Sequence, residues 1–114
     1  MPVLIQDVDL DNFASLIAAE TDELKALSDV SKASRAPVVL DQQSVGRLSR
    51  MDAMQQQSME LATEDRRQQR LTMLNLARQR LIAGVYGYCL KCDGEIALAR
   101  LNIDPAVTLC IDCA

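Results

Sequence analysis

The sequence contains no histidine and no tryptophan, and its aromatic residues are one phenylalanine and two tyrosines. Histidine is the commonest general base near neutral pH and a frequent ligand of catalytic zinc, so its absence removes the usual routes to hydrolysis. The sequence also lacks paired catalytic carboxylates, a Ser-His-Asp set and a phosphate-binding glycine loop. We therefore expect a protein that is not an enzyme.

Long apolar runs are also missing, since none approaches the roughly 20 residues that span a bilayer. The opening residues, MPVLIQDVDLD, lack the basic start and apolar core of a secretory signal. We expect a cytoplasmic protein with no membrane contact. Few glycines and aromatics, in a chain rich in Ala, Leu, Met, Gln and Arg, are typical of a mainly α-helical fold.

The net charge of −4 is unevenly distributed. Residues 1–46 hold eight acids and three bases, residues 47–88 hold four acids and seven arginines, and residues 89–114 hold four acids and two bases. Binding to nucleic acid requires many cations that neutralise phosphates. We expect no direct sequence-specific binding to DNA, and a protein is the favoured partner.

All four cysteines lie near the end of the chain, in two pairs with the spacing Cys-x2-Cys-x17-Cys-x2-Cys: Cys89, Cys92, Cys110 and Cys113. Two residues between thiols allow a tight turn to direct both sulfurs to one point, and two such turns form a tetrahedral zinc cage. Four thiolates leave no open position for water, so the predicted Zn²⁺ is structural. Two disulfides or a redox dithiol are the alternatives, and the matched pairs favour the cage.

Residues around the cysteines fit such a module. Gly94 suits a turn that needs positive φ, and Pro105 stiffens the loop that returns to the second pair. Seven apolar residues are expected to shield the site: Ile96, Leu98, Leu101, Ile103, Val107, Leu109 and Ile111.

Residues 9–27 have helical periodicity, and we predict a first helix at about 9–32. Its apolar seam comprises Leu10, Phe13, Ile17, Leu24 and Leu27, with Glu20 interrupting it. Pro37 then breaks the pattern, because proline cannot continue a regular helix. We predict a tip at about residues 33–45.

Residues from about 44 to 84 are rich in strong helix formers, and some 40 residues form a helix of about 60 Å. Such a helix requires a partner, and the first helix is the one available in the chain. We therefore predict a mainly α fold: an antiparallel, coiled-coil-like helical hairpin at 1–85 and a small four-cysteine zinc finger at 86–114. Gly84 and Gly87 mark the junction.

The long helix has two further features. We interpret its methionines as core-filling residues: Met51, Met54, Met59 and Met73. We interpret its central arginines as a solvated face: Arg66, Arg67 and Arg70.

The stretch YGYCLKCDGEIALARLNIDPAVTLCIDC resembles the zinc finger of the DksA/TraR family of bacterial transcription regulators. The matching features are Gly-Tyr-Cys-x-x-Cys, Gly-x-Ile, an arginine, a proline and Leu-Cys-Ile-x-Cys. The upstream run LDQQSVGRLSRMDAMQ is similar to a segment of short members, so the resemblance covers about residues 38–113.

The resemblance implies a protein that binds RNA polymerase, inserts its hairpin into the secondary channel and modulates initiation allosterically, with the alarmone ppGpp as a further partner at a joint site. The best-known members of the family carry Asp-x-x-Asp-x-Ala at the tip, and this chain does not match that motif. Five residues are the candidates for partner binding at the tip: Asp41, Arg47, Arg50, Asp52 and Ala53. The alternative function is a zinc-stapled helical adaptor, homodimeric or monomeric, for another protein.

Overall fold

The computed structural model of the chain describes residues 7–35 and 47–114. Four helices are present in these ranges: α1 (Asp7–Val30), α2 (Lys32–Arg35), α3 (Arg47–Ala83) and α4 (Leu98–Ile103). The same ranges contain no strand, only an isolated antiparallel bridge between Tyr88 and Glu95. The predicted mainly α fold is confirmed, and no described helix is long and apolar enough to cross a membrane.

The helices α1 and α3 form an antiparallel hairpin. Glu20 of α1 pairs with Arg70 of α3, and Ser28, two turns later in α1, pairs with the earlier residue Glu64. The molecule measures 67 × 26 × 20 Å, as expected for a helix of 37 residues that rises about 1.5 Å per residue. Beyond α1, the first three residues of the predicted tip belong to α2, and residues 36–45 lie outside the described ranges.

The hairpin and the cysteine-bearing segment share one hydrophobic core. Phe13 of α1 contacts Tyr86 with a distance of 5.5 Å between ring centroids. The buried cluster includes α1, α3 and the C-terminal segment: Phe13, Ile17, Leu74, Ala77, Tyr86, Cys89, Ile96, Leu101 and Ala106. The segment of 86–114 therefore packs against the root of the hairpin, where the two helices meet it.

Polar contacts also join α1 to α3, and α3 to the C-terminal segment. Glu64 is buried between the helices, where it accepts hydrogen bonds from Ser28 (2.5 Å) and Arg67. Arg70 donates to Glu20 at 2.8 Å and to Asp104 at 2.9 Å. Our interpretation of the central arginines as a solvated face is therefore wrong for Arg67 and Arg70.

The interpretation of the methionines as core filling is also wrong. Met51, Met54, Met59 and Met73 are 42–58% exposed, because this part of α3 turns Glu64 and Arg67 toward α1 and leaves the methionines on other faces. The predicted seam of α1 holds for Phe13 and Ile17, but Leu27 is exposed.

Candidate metal centre

The first cysteine pair lies on a tight turn closed by the bridge between Tyr88 and Glu95. The Cys89 N–H donates to the Gly94 carbonyl at 2.8 Å, and the Asp93 N–H donates to the Cys89 carbonyl at 3.0 Å. Asp93 has a φ of 59°, the left-handed conformation that short polar residues tolerate. These bonds hold Cys89 and Cys92 on one side of the turn.

Positive φ was expected at Gly94 and occurs instead at Asp93. The reason for glycine at position 94 is space, because an added Cβ would lie 3.3 Å from the Cys92 sulfur. Gly84 and Gly87, at the junction with α3, have φ of 77° and 90°.

The second cysteine pair forms a similar turn. The Cys113 N–H donates to the Cys110 carbonyl at 3.1 Å, and the Leu90 N–H donates to the Thr108 carbonyl at 2.9 Å. The second of these bonds joins the two turns directly. Tyr86 donates its hydroxyl to the Pro105 carbonyl at 2.6 Å, which fixes the returning loop.

The four sulfurs converge on one point. All lie within 4.8 Å of one another, and those of Cys92 and Cys110, from different pairs, are 3.6 Å apart. A tetrahedral site with Zn–S bonds of about 2.3 Å requires sulfurs about 3.8 Å apart. The cysteines are free thiols, and the cluster joins both pairs in one site. This geometry fits a four-thiolate zinc centre better than two separate disulfides.

The surroundings favour deprotonation of Cys89, which is 1% exposed. A hydrogen bond from the Cys110 N–H, the largest effect, helps to lower the pKa of Cys89 to about 6. Neighbouring thiols, first that of Cys110, raise the pKa of Cys113 to about 12. Zinc binds thiolates, so Cys89 is prepared for binding, whereas Cys113 would lose its proton to the metal.

The apolar shield is smaller than predicted. Ile96 and Leu101 are buried, whereas Ile103 and Ile111 are 87% and 77% exposed. The helix α4 is only six residues long, so it covers the core with Leu101 and turns Ile103 outward.

The candidate tip residues lie far along the chain from the cysteines, at the start of α3. Arg47 is its first residue, and the next two turns hold Arg50, Asp52 and Ala53. The Asp52 side chain is exposed, and Ala53 is half-buried. The Nε of Arg50 is buried without a hydrogen-bond partner. Asp41 lies outside the described residues.

Two arginines near the cysteines were not among the predicted site residues. Arg80 donates to the carbonyls of Val85 and Tyr88, and Arg100 donates to the Leu109 carbonyl at 3.0 Å. Arg100 belongs to the motif quoted above. Nothing in the sequence pattern distinguishes Arg80 from the other arginines of α3.

Comparison with known proteins identifies this arrangement. Residues 84–114 match the family described as the prokaryotic dksA/traR C4-type zinc finger. A region of 56 residues, 49% of this chain, is 36% identical to the RNA polymerase-binding transcription factor DksA of Haemophilus influenzae, of which it covers 39%. The protein of the same name from Escherichia coli K12 is 34% identical over 56 residues, with 37% of its length covered. The match thus spans about two fifths of these curated relatives.

The fold is similar to that of transcription factor DksA2 from Pseudomonas aeruginosa. The TM-score is 0.77 at 24% sequence identity, and the match covers 94% of this chain and 81% of that one. Fold and site together define a helical hairpin with a C4 zinc finger at its root, and its cofactor is a structural Zn²⁺. Residues 84–114 thus match the C4-type zinc finger of the DksA/TraR family, as the cysteine motif predicted.

Proposed function

We propose that this protein is a non-enzymatic transcription regulator that binds RNA polymerase. The names of its curated relatives support this proposal, since they are RNA polymerase-binding transcription factors. The dimensions of 67 × 26 × 20 Å also support it, because a narrow hairpin on a zinc-bound root suits insertion into the secondary channel. The protein would act from the cytoplasm without direct sequence-specific contact with DNA.

The proposed mechanism is allosteric. A regulator that performs no chemistry changes initiation by binding one state of the polymerase more tightly than another. Asp41 and Asp52 would supply this discrimination at the tip, and Arg47, Arg50 and Ala53 would contact the channel. The family resemblance adds ppGpp, bound at a site shared with the polymerase.

The test starts from a pull-down with purified RNA polymerase, competed by a known secondary-channel factor. We expect loss of binding under competition. At matched occupancy, Asp52→Asn should retain binding and weaken the effect on transcription, whereas Asp65→Asn, an exposed acid farther along α3, should behave as wild type. Retained binding under competition would move the interaction to another surface.

The exposed methionines of α3 favour a second candidate function, a zinc-stapled adaptor for another protein. A homodimer that buries the hairpin would leave it unable to insert into the secondary channel of RNA polymerase. Light scattering after size exclusion separates the two, because the polymerase regulator should elute as a monomer.

A further inference from the structure

One arginine binds the backbone immediately before each cysteine pair, Arg80 before the first pair and Arg100 before the second. The Nη2 of Arg80 donates to the carbonyl of Tyr88, the residue before Cys89, and to the Val85 carbonyl at 3.2 Å. The Nε of Arg100 donates at 3.0 Å to the carbonyl of Leu109, the residue before Cys110. Each zinc-binding turn therefore begins at a carbonyl held by a guanidinium group.

Neither arginine has a carboxylate partner within the described ranges, where the ion pairs engage Arg35, Arg67 and Arg70. Arg80 is 7% exposed, and its Nε is buried without a hydrogen-bond partner. A buried cation is costly unless an opposite charge compensates it. The structure therefore raises the question of what compensates Arg80.

The helix macrodipole at the end of α3 does not fully compensate the charge of Arg80. A cation in the last turn of a helix is favoured by the macrodipole. However, Arg80 donates to the carbonyls of Val85 and Tyr88, which lie beyond Ala83, where α3 ends. Both acceptors belong to the segment that leads to Cys89.

A zinc centre with four thiolates provides the missing opposite charge. Four thiolates and one Zn²⁺ carry a formal charge of −2. The other charges of the finger do not compensate it, because residues 89–114 hold four acids and, besides Arg100, one base, Lys91. An arginine beside each turn would offset this dianion.

We propose that Arg80 and Arg100 form an outer shell of the zinc centre, one arginine for each cysteine pair. Each fixes the carbonyl that starts its turn and supplies a positive charge that offsets the zinc tetrathiolate. Outer-shell groups of this kind orient the ligands and tune the metal. The structural zinc and the end of the long helix thereby stabilise each other.

The test measures zinc affinity by competition with the chelator 4-(2-pyridylazo)resorcinol. Arg80→Gln and Arg100→Gln should each weaken zinc binding by about 10–100-fold, the usual effect of losing an outer-shell partner. Arg80→Lys and Arg100→Lys keep the charge and should retain most of the affinity. Arg78→Gln is the matched control, because it removes an exposed arginine from the same end of α3.

A second measurement follows the alkylation of the zinc-loaded cysteines by iodoacetamide, which is uncharged and therefore reports the nucleophilicity of the thiolates. Loss of a neighbouring positive charge should speed this reaction in the glutamine variants and leave the control unchanged. Wild-type affinity and reactivity in folded Arg100→Gln would overturn the proposal, even if Arg80→Gln failed to fold. Equal losses in the lysine and glutamine variants would also overturn it, because hydrogen bonding alone would then explain the effect.

Discussion

At the scale of single residues, Glu64 shows how a polar side chain holds the hairpin together. Its carboxylate accepts hydrogen bonds from Ser28, Gln68 and Arg67, and Arg35 lies 3.7 Å away. The bond from Ser28 is the largest of the effects that lower the pKa of Glu64 to about 2, from an ordinary value of 4.5. The charged form is thus favoured by folding.

This pKa predicts an acid-dependent loss of stability. Because the folded pKa lies below the unfolded one, the contribution of Glu64 is complete above about pH 4.5 and is lost as the pH falls toward about 2. Urea unfolding followed by circular dichroism between pH 7 and pH 3 measures it. Glu64→Gln should be less stable than wild type at pH 7, and the difference should shrink toward pH 3. A difference that stays constant with pH would contradict this role.

The inward position of Glu64 could not be predicted from the sequence. The run TEDRRQQR is polar on all faces, so its periodicity does not distinguish a buried side from an exposed one. Ser28 and Arg67, which donate hydrogen bonds to the Glu64 carboxylate, come from different helices. Only the packing of α1 against α3 brings them together. By contrast, the cysteine spacing was sufficient to predict the zinc site, because its chemistry is local to each turn.

At the scale of elements, the end of α3 depends on backbone geometry at Gly84. Its φ is 77°, and an added Cβ would meet no atom within 4 Å. Gly84→Ala should therefore cost only the left-handed backbone conformation, about 1 kcal/mol. The melting temperature should fall by about 4–8 °C, with zinc affinity unchanged, as measured by thermal unfolding and chelator competition.

Gly94 is the matched comparison, because an added Cβ there would lie 3.3 Å from the Cys92 sulfur. Gly94→Ala should weaken zinc binding, which Gly84→Ala should not. Equal zinc affinities in the two variants would contradict the distinction between a glycine required for conformation and one required for space.

The elements themselves were largely predictable. The periodicity of residues 9–27 and the run of helix formers at about 44–84 indicated two helices, observed as Asp7–Val30 and Arg47–Ala83. Which face of the first half of α3 would pack against α1 was not predictable, because its methionines suggested a core, whereas the structure leaves them exposed. Methionine is adaptable enough to serve on either face.

At the scale of the whole molecule, zinc removal should affect more than the finger. Since Cys89, Ile96 and Leu101 share a core with Phe13 and Ile17, loss of the metal should also loosen the first half of α1. Hydrogen exchange with and without a chelator should show reduced protection around Phe13. Protection around Glu64, which lies outside this core, should persist, and added zinc should reverse the change. Unaltered exchange around Phe13 would show that the finger folds independently of the hairpin.

The shared core also determines how much of the chain must be exchanged when the zinc finger is transferred between relatives. The stretch that matches the C4 finger, residues 84–114, is short enough to look like an interchangeable cassette. Yet Tyr86 packs against Phe13 with its ring tilted, and Asp104 forms an ion pair with Arg70, so the hairpin supplies part of the contacts that hold the finger. Chimeras between relatives should therefore exchange the finger together with the roots of both helices. Exchanging the cysteine motif alone would leave finger residues from one protein packed against helix residues from another in the same hydrophobic core.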